Sequence, residues 1–306
     1  AASFGLVRDC DSFITDDPDP GPVRIEALSD RGTFTTVSDL THGSGADLEG
    51  PSGVAIDQAR DRALVVEGPR RALIAVDLAT GDRAVVADDD IGAGPSLTAL
   101  HSVAWDAAGQ RAFVAGSDGV FEVDVASGDR RLVSSETVGG GVEFNAGRIA
   151  WDAIGARLLM TSIDLIAVVA IDPQSGARTE FTGPTRGAGP QFENMRGVVV
   201  DDVAGVAYVS DVNRNALVAV DLDTGDRTIV AGESRGTGPT LANVQMFALS
   251  IDGMRMSALD WSSDRVLEID LLTGSRTVLT DQGLDGRTPW AMARWDRFNR
   301  LILVRR

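Results

Sequence analysis

The side chains best suited to chemistry in this chain are few, and most recur at one place in a repeating pattern. Six strings carry an aspartate in register: GVAID (Asp57), SVAWD (Asp106), RIAWD (Asp152), GVVVD (Asp201), ALSID (Asp252) and MARWD (Asp296). Seven residues before these aspartates stand Gly50, Ala99, Asn145, Asn194, Gln245 and Pro289. Glu49 and Glu193 lie one step earlier, and His101 and Arg196 two steps later. Oxygen-bearing side chains brought to one axis by a repeat could hold a hard cation such as Ca²⁺, which takes about six to eight oxygen ligands. An asparagine in front of a strand can equally cap its own backbone. The residues alone leave both readings open.

His101 stands where an imidazole could take a proton from an attacking water. A packed histidine making a local hydrogen bond fits the same place. His42 falls where the sister repeats carry Ile91, Val138, Arg186 and Arg235, which marks an exposed loop and no chemistry. A second set of acids, Glu67, Asp211 and Asp260, occupies equivalent places between later strands of the repeat. Two such carboxyls could act as acid and base if burial raised the pKa of one. Arg70, Arg71, Arg214 and Arg265 alternate with them, so ion pairs that order the rim are the simpler expectation. Trp261 and Trp290 stand close to the same loops and could touch a ligand; Trp105, Trp151 and Trp295 are expected to pack between repeats.

Composition removes several alternatives. The lone cysteine, Cys10, excludes an intramolecular disulfide framework and a cysteine-based structural zinc site. Two histidines are too few for the multi-histidine zinc centres. All 28 basic residues are arginine, so Schiff-base and P-loop lysines are absent. A net charge of −17 argues against nucleic acid and anionic membrane as partners. No apolar run is long enough to form a transmembrane segment. The chain opens Ala1-Ala2-Ser3 without methionine, which fits signal-peptidase cleavage and an expected secreted or periplasmic location.

The elements that must position these residues are strands. The marked aspartates follow one another at gaps of 49, 46, 49, 51 and 44 residues. In phase with them run VDLATGDR, VDVASGDR, AIDPQSGAR, VDLDTGDR and IDLLTGSR. Apolar runs of three to five residues separated by Asp, Thr and Gly read as four short strands per unit. Gly81, Gly128, Gly176, Gly225 and Gly274 would supply the positive φ of the last hairpin. The GxGP-like strings at Gly43, Gly92, Gly187 and Gly236 have no following helix and read as turns, not phosphate loops. Four-stranded units of this length are blades of a β-propeller. Five complete blades span 51–281, and an extension covers 1–22. Two half-blades remain, 23–38 and 289–306, and together they make a sixth. The expectation is an all-β, single-domain, six-bladed β-propeller, closed where N-terminal strands pair with C-terminal strands.

The GVAxD and VDLxTGDRT strings together resemble the six-bladed propellers of the NHL and SMP-30/gluconolactonase type over nearly the whole chain. That resemblance implies a calcium-dependent lactonase or phosphotriesterase site with a glutamate in an EGP string, two asparagines and an aspartate as ligands. Glu49-Gly50-Pro51, Asn145 and Asn194 match three of these places, and Gln245 stands where the family has aspartate. One carboxylate and three amides would hold Ca²⁺ less tightly than the family's set. Two functions are therefore expected from the sequence. The first is an extracytoplasmic module that binds a small-molecule ligand or another protein through its channel-mouth loops. The alternative is a Ca²⁺-dependent hydrolase with His101 as base.

Overall fold

The computed structural model describes residues 23–281, 291–295 and 300–305. They form six four-stranded antiparallel sheets, and no helix occurs among the described residues. In blade 1 the strands are Pro51–Asp57, Arg62–Glu67, Ala72–Asp77 and Arg83–Ala87, running from the axis outward. The middle two, RALVVE and ALIAVD, are buried almost without interruption. Neighbouring blades cover both of their faces, so the sequence shows apolar runs in place of polar alternation. The outermost strand, RAVVA, has solvent on one side and is only partly buried.

The innermost strands of blades 2 to 5 are Leu100–Asp106, Ile149–Asp152, Met195–Asp201 and Val244–Leu249. Ala291–Trp295 is the innermost strand of the sixth blade. Each touches the next, and the sixth touches the first, so the ring is closed. The sixth blade is the expected composite. From the outside inward it consists of Phe34–Ser38, Arg24–Leu28, Arg300–Arg305 and Ala291–Trp295. Arg24 pairs with Arg305, and Leu28 with Leu301. Apolar side chains pool between blades. Blades 1 and 2 share Leu64, Leu73, Val103 and Val114, for example, and blades 4 and 5 share Leu217, Val230, Met256 and Leu267. One cluster joins the closing blade to both of its neighbours.

Two glycine series that look separate in the sequence are one contact in space. Gly43, Gly92, Gly139, Gly187 and Gly236 dock against the carbonyls of Gly81, Gly128, Gly176, Gly225 and Gly274, respectively. A side-chain carbon on the first series would strike those oxygens, and every one of these residues has φ between 72° and 79°. Gly139 belongs to this set although GGGV lacks the proline of its sisters. Beside each contact lies the buried arginine that ends the TGDR string: Arg83, Arg130, Arg178, Arg227 or Arg276. Each Nε donates to one end of the glycine loop, at Ala46, Pro95, Val142, Pro190 and Pro239 O (2.6–2.9 Å). Each Nη1 donates to the other end, at His42, Ile91, Val138, Arg186 and Arg235 O (2.6–3.1 Å). A planar fork with several donors suits this double grip.

The acidity is largely turn chemistry. Asp77, Asp124, Asp172, Asp221 and Asp270 accept backbone N–H groups of their own turns, which hold their carboxyls below the usual range. Asp57, Asp106 and Asp152 end inner strands and pair with Arg62, Arg111 and Arg157 at 2.7–3.0 Å. Asp252 does not join that set. Leu249 pairs with Met256 as Ile56 pairs with Ala63, which puts Ser250 at the strand-ending place. Asp296 lies outside the described residues.

Candidate functional site

The chain enters each inner strand at one mouth of the central channel, and the loops between second and third strands frame that mouth. The carbonyls of Gly50, Ala99, Asn194 and Asn243 accept N–H groups from Gly68, Ser117, Val212 and Trp261 of those loops. These four residues are therefore structural equivalents, and Asn145 shares their place by its spacing to Asp152. The residue equivalent to Asn194 in blade 5 is thus Asn243, two residues before Gln245. Gln245 corresponds instead to Ser52, His101 and Arg196, the second residues of their strands.

Each expected ligand has a protein partner. Glu49 pairs with Arg70 at 3.4 Å on the exposed rim. Asn145 donates its amide to Asp164, and Asn194 donates to Asn213 Oδ1 at 3.2 Å. Gln245 donates to Asn243 Oδ1 at 2.9 Å. Glu193 is taken by Arg214 at 2.7 Å. Asn194 Oδ1 is buried without a hydrogen-bond donor, the one feature here that suits a cation. Arg148 decides against one. From blade 3 its Nη1 donates to the carbonyls of Ser52 in blade 1 (3.0 Å) and His101 in blade 2. A guanidinium thus spans three blades at the mouth, where the calcium ligands would have to converge. Arg196 is near enough for its charge to help lower the pKa of Arg148, burial being the larger cause, to about 10. A divalent cation would face repulsion from both arginines, so the residues present do not fit a calcium site.

His101 is used as a strap. Its Nε2 donates to Gly147 O of the next blade at 3.0 Å, and Nδ1 lies 3.4 Å from Ala99 O. Burial, with the Arg148 charge second, holds its pKa below the ordinary value of 6.5, so the ring is neutral and carries one N–H. That proton goes to the nearer carbonyl, and the other nitrogen is turned towards backbone.

Glu67, Asp211 and Asp260 are buried and act as latches. Glu67 accepts the N–H groups of Glu49 (3.2 Å) and Gly50. Asp211 accepts those of Glu193 (2.8 Å) and Asn194 (3.1 Å). Asp260 accepts Ser262 N–H (3.0 Å) and the Ser263 hydroxyl. The first two tie the chain entering the inner strand to the neighbouring loop; Asp260 braces its own loop. Burial pushes the pKa of Glu67 up, against the pull of its two N–H donors. Trp261 packs against the core shared with the closing blade. Trp290 lies outside the described residues.

Below the mouth runs a channel of about 290 Å³ lined by the innermost strands of all six blades. Val54, Val103, Ile149, Val198 and Phe247 ring its upper part, with Trp105 and Trp151 further along. Its polar lining includes Ser102, Arg148, Gln245 and Arg294. Arg294 donates to Ser257 Oγ at 2.7 Å, and burial lowers its pKa. Sequence reasoning did not single out Arg148, Arg294 or Asn243. The available signal was a break in the repeat: Arg148 replaces Gly53, Ser102, Gly197 and Met246, and Arg294 replaces Ala55, Ala104, Ala150, Val199 and Ala248. Among the described residues no three His, Cys, Asp or Glu side chains cluster to hold a metal, and no helix is long and apolar enough to cross a membrane.

No family model matches the chain, and no curated protein matches it. Solved structures do. The chain is similar to a putative TolB from Agrobacterium tumefaciens at TM-score 0.63 and 13% identity, covering 93% of this chain and 99% of that one. It is similar to a chain of a nidogen/laminin complex at TM-score 0.60 and 14% identity, covering 86% and 100%. An auxiliary nutrient binding protein from Bacteroides thetaiotaomicron aligns at TM-score 0.61 and 14% identity, covering 93% and 77%. At these identities the likeness shows the fold alone.

Proposed function

We propose that this propeller is a ligand-binding module acting outside the cytoplasm, and that a small molecule enters the channel through the mouth formed by Asn145, Asn194, Arg196 and Gln245. One observation carries the reading. The groups suited to acid–base chemistry, His101, Glu67, Asp211 and Asp260, are committed to holding backbone. Polar groups, Arg148 and Gln245 among them, instead line a concave channel on rigid strands. Concave, mostly apolar sites with a few placed polar groups are how small ligands are held. The names of the fold neighbours, a nutrient binding protein and a partner in a laminin complex, agree with binding as a use of this fold.

The test is a thermal-shift screen of a panel of small metabolites of either charge and none, with fractionation of cells expressing the full-length gene product. A compound that raises Tm in wild type but not in Gln245→Ala is the expected result. No shift from any member of the panel, or turnover of a lactone or phosphotriester with calcium, would overturn the reading.

A further inference from the structure

The inner strands run from the mouth to the opposite end of the channel, where the turns between first and second strands frame the exit. Those turns change character around the ring. Blade 1 carries Arg60 and Asp61 there, whereas blades 2 to 5 present AAGQ, AIGA, DVAG and IDGM. The four most exposed large apolar side chains among the described residues all stand at this end: Val203 (101%), Leu272 (84%), Ile154 (79%) and Met254 (68%). Ile251 is exposed beside them.

Scattered apolar residues on a surface need no explanation. These are contiguous. Asp202 Oδ1 accepts the N–H groups of Ala153 (2.9 Å) and Ile154 (3.4 Å), which ties the turn of blade 3 to that of blade 4. Gly253 lies against Asp201 Oδ2 and brings the blade 5 turn to the same place. Leu271 N–H donates to Met254 O (3.0 Å), so Leu272 extends the patch outward. Inward it continues into the channel at Val200, Leu249 and Trp151.

The charge around the patch has one sign. The turns between third and fourth strands lie alongside, joined by bonds such as Leu222 N–H to Gly205 O (3.0 Å). They carry Asp124, Asp172, Asp221, Asp223 and Asp270, all exposed and without an ion-pair partner among the described residues. The arginines that begin the second strands are taken: Arg111, Arg157 and Arg255 pair with Asp106, Asp152 and Glu268. Arg235, which donates to Leu272 O (3.0 Å), bounds the patch on its outer side. A contiguous apolar patch inside a polar rim marks an interaction surface, and the acidic rim chooses the occupant. A second copy of this chain would bring like charges together, and anionic headgroups would meet the same repulsion. A cationic partner gains from both parts of the surface.

We propose that this end of the channel docks a basic amphipathic segment of another protein, its aliphatic side chains seated on Ile154, Val203, Ile251 and Met254 and its lysines or arginines facing Asp172, Asp221, Asp223 and Asp270. The site lies at the far end from the mouth, so it stands or falls apart from small-molecule binding there.

The probe is a short helical peptide of leucine and lysine with one apolar face. A leucine/glutamate counterpart and a lysine/serine version without the apolar face accompany it, each titrated by fluorescence anisotropy and calorimetry. The leucine/lysine peptide should bind saturably, with affinity that falls as salt rises. The other two should bind at least about tenfold more weakly. The double variant Ile154→Ser, Val203→Ser should weaken the first peptide at least about tenfold and keep the wild-type Tm, since both side chains are exposed in the free protein. Asp223→Asn should lower the affinity severalfold and flatten its salt dependence. Leu40→Ser, at an exposed apolar position on another loop, should bind as wild type does.

Failure of the leucine/lysine peptide to bind, binding that survives the double variant, or equal binding of either companion peptide would each overturn the docking site. Sedimentation showing a wild-type dimer that the double variant lacks would assign the patch to a second copy. Flotation with phosphatidylcholine/phosphatidylglycerol vesicles that the double variant loses would assign it to a membrane. Either result overturns the proposal.

Discussion

Residue types that suggest catalysis serve here mainly to hold backbone, and Glu67 shows why the two uses look alike in a sequence. A carboxylate buried at a loop junction has the perturbed pKa expected of a general acid, yet both its oxygens accept N–H groups of the chain entering blade 1. Because burial raises its pKa, the stability it contributes is full below the unfolded value near 4.5 and is lost as pH rises through the folded value. Glu67→Gln keeps an acceptor for Gly50 and removes the ionisation. Its Tm at pH 7 should equal or exceed that of wild type, and wild type should gain on the variant as pH falls towards 4.5. A loss of several degrees at pH 7 would show that the ionised carboxylate is needed. His101 carries the opposite sign. Its folded pKa lies below the unfolded 6.5, so its stabilising effect is full above that value and fades as pH falls beneath it. His101→Gln should flatten the stability profile between pH 6.5 and 5, measured by melting in a series of buffers.

At the scale of strands and loops, most of the architecture was legible because each blade repeats the same local solution. Apolar runs, the strand-ending acids and the turn glycines located the blades and the composite sixth. The register failed in one place. In blade 5 Ser250 holds the place of the strand-ending aspartate; its hydroxyl accepts Arg255 N–H (2.9 Å) and donates to Asp252 (2.5 Å), so the aspartate has moved two residues along the turn. The slip carried the reading from Asn243 to Gln245. The site arginines were illegible for a different reason: a repeat advertises what its units share, and Arg148 and Arg294 occur once each. The junction of glycine loop and hairpin could not be inferred either, since it joins segments about 40 residues apart. That junction makes a firm prediction. Gly187→Ala places a methyl group against Gly225 O at φ 79°, and should cost about 3 kcal/mol or more. Arg227→Met removes the donor that the Pro190, Gly183 and Arg186 carbonyls and the Thr182 hydroxyl share, and should cost about 3 kcal/mol. Denaturant titration reads both, and a loss below 1 kcal/mol in either would mean that the blades hold without this contact.

At the scale of the ring, stability and binding share one cause. Every blade is covered on both faces only if the circle closes, and closure rests on strands from opposite ends of the chain. The cluster around Ile25, Leu28, Leu301 and Val304 reaches Val65 and Ile74 of blade 1 on one side and Met246 and Leu259 of blade 5 on the other. Removing the last 18 residues, 289–306, takes away the inner half of that blade. It bares the edge of Arg24–Leu28 and both neighbouring faces at once. The truncated chain should therefore lose cooperative melting altogether, where a locally damaged protein would lose only a few degrees. The channel would open with it, because Met292, Ala293 and Arg294 form its sixth wall. Supplying residues 289–306 in trans as a peptide should restore both the melting transition and whatever ligand shift wild type displays, with a concentration dependence set by pairing to Arg24–Leu28. A truncated protein that still melted in one sharp transition near the wild-type temperature would show that the other five blades stand without the sixth.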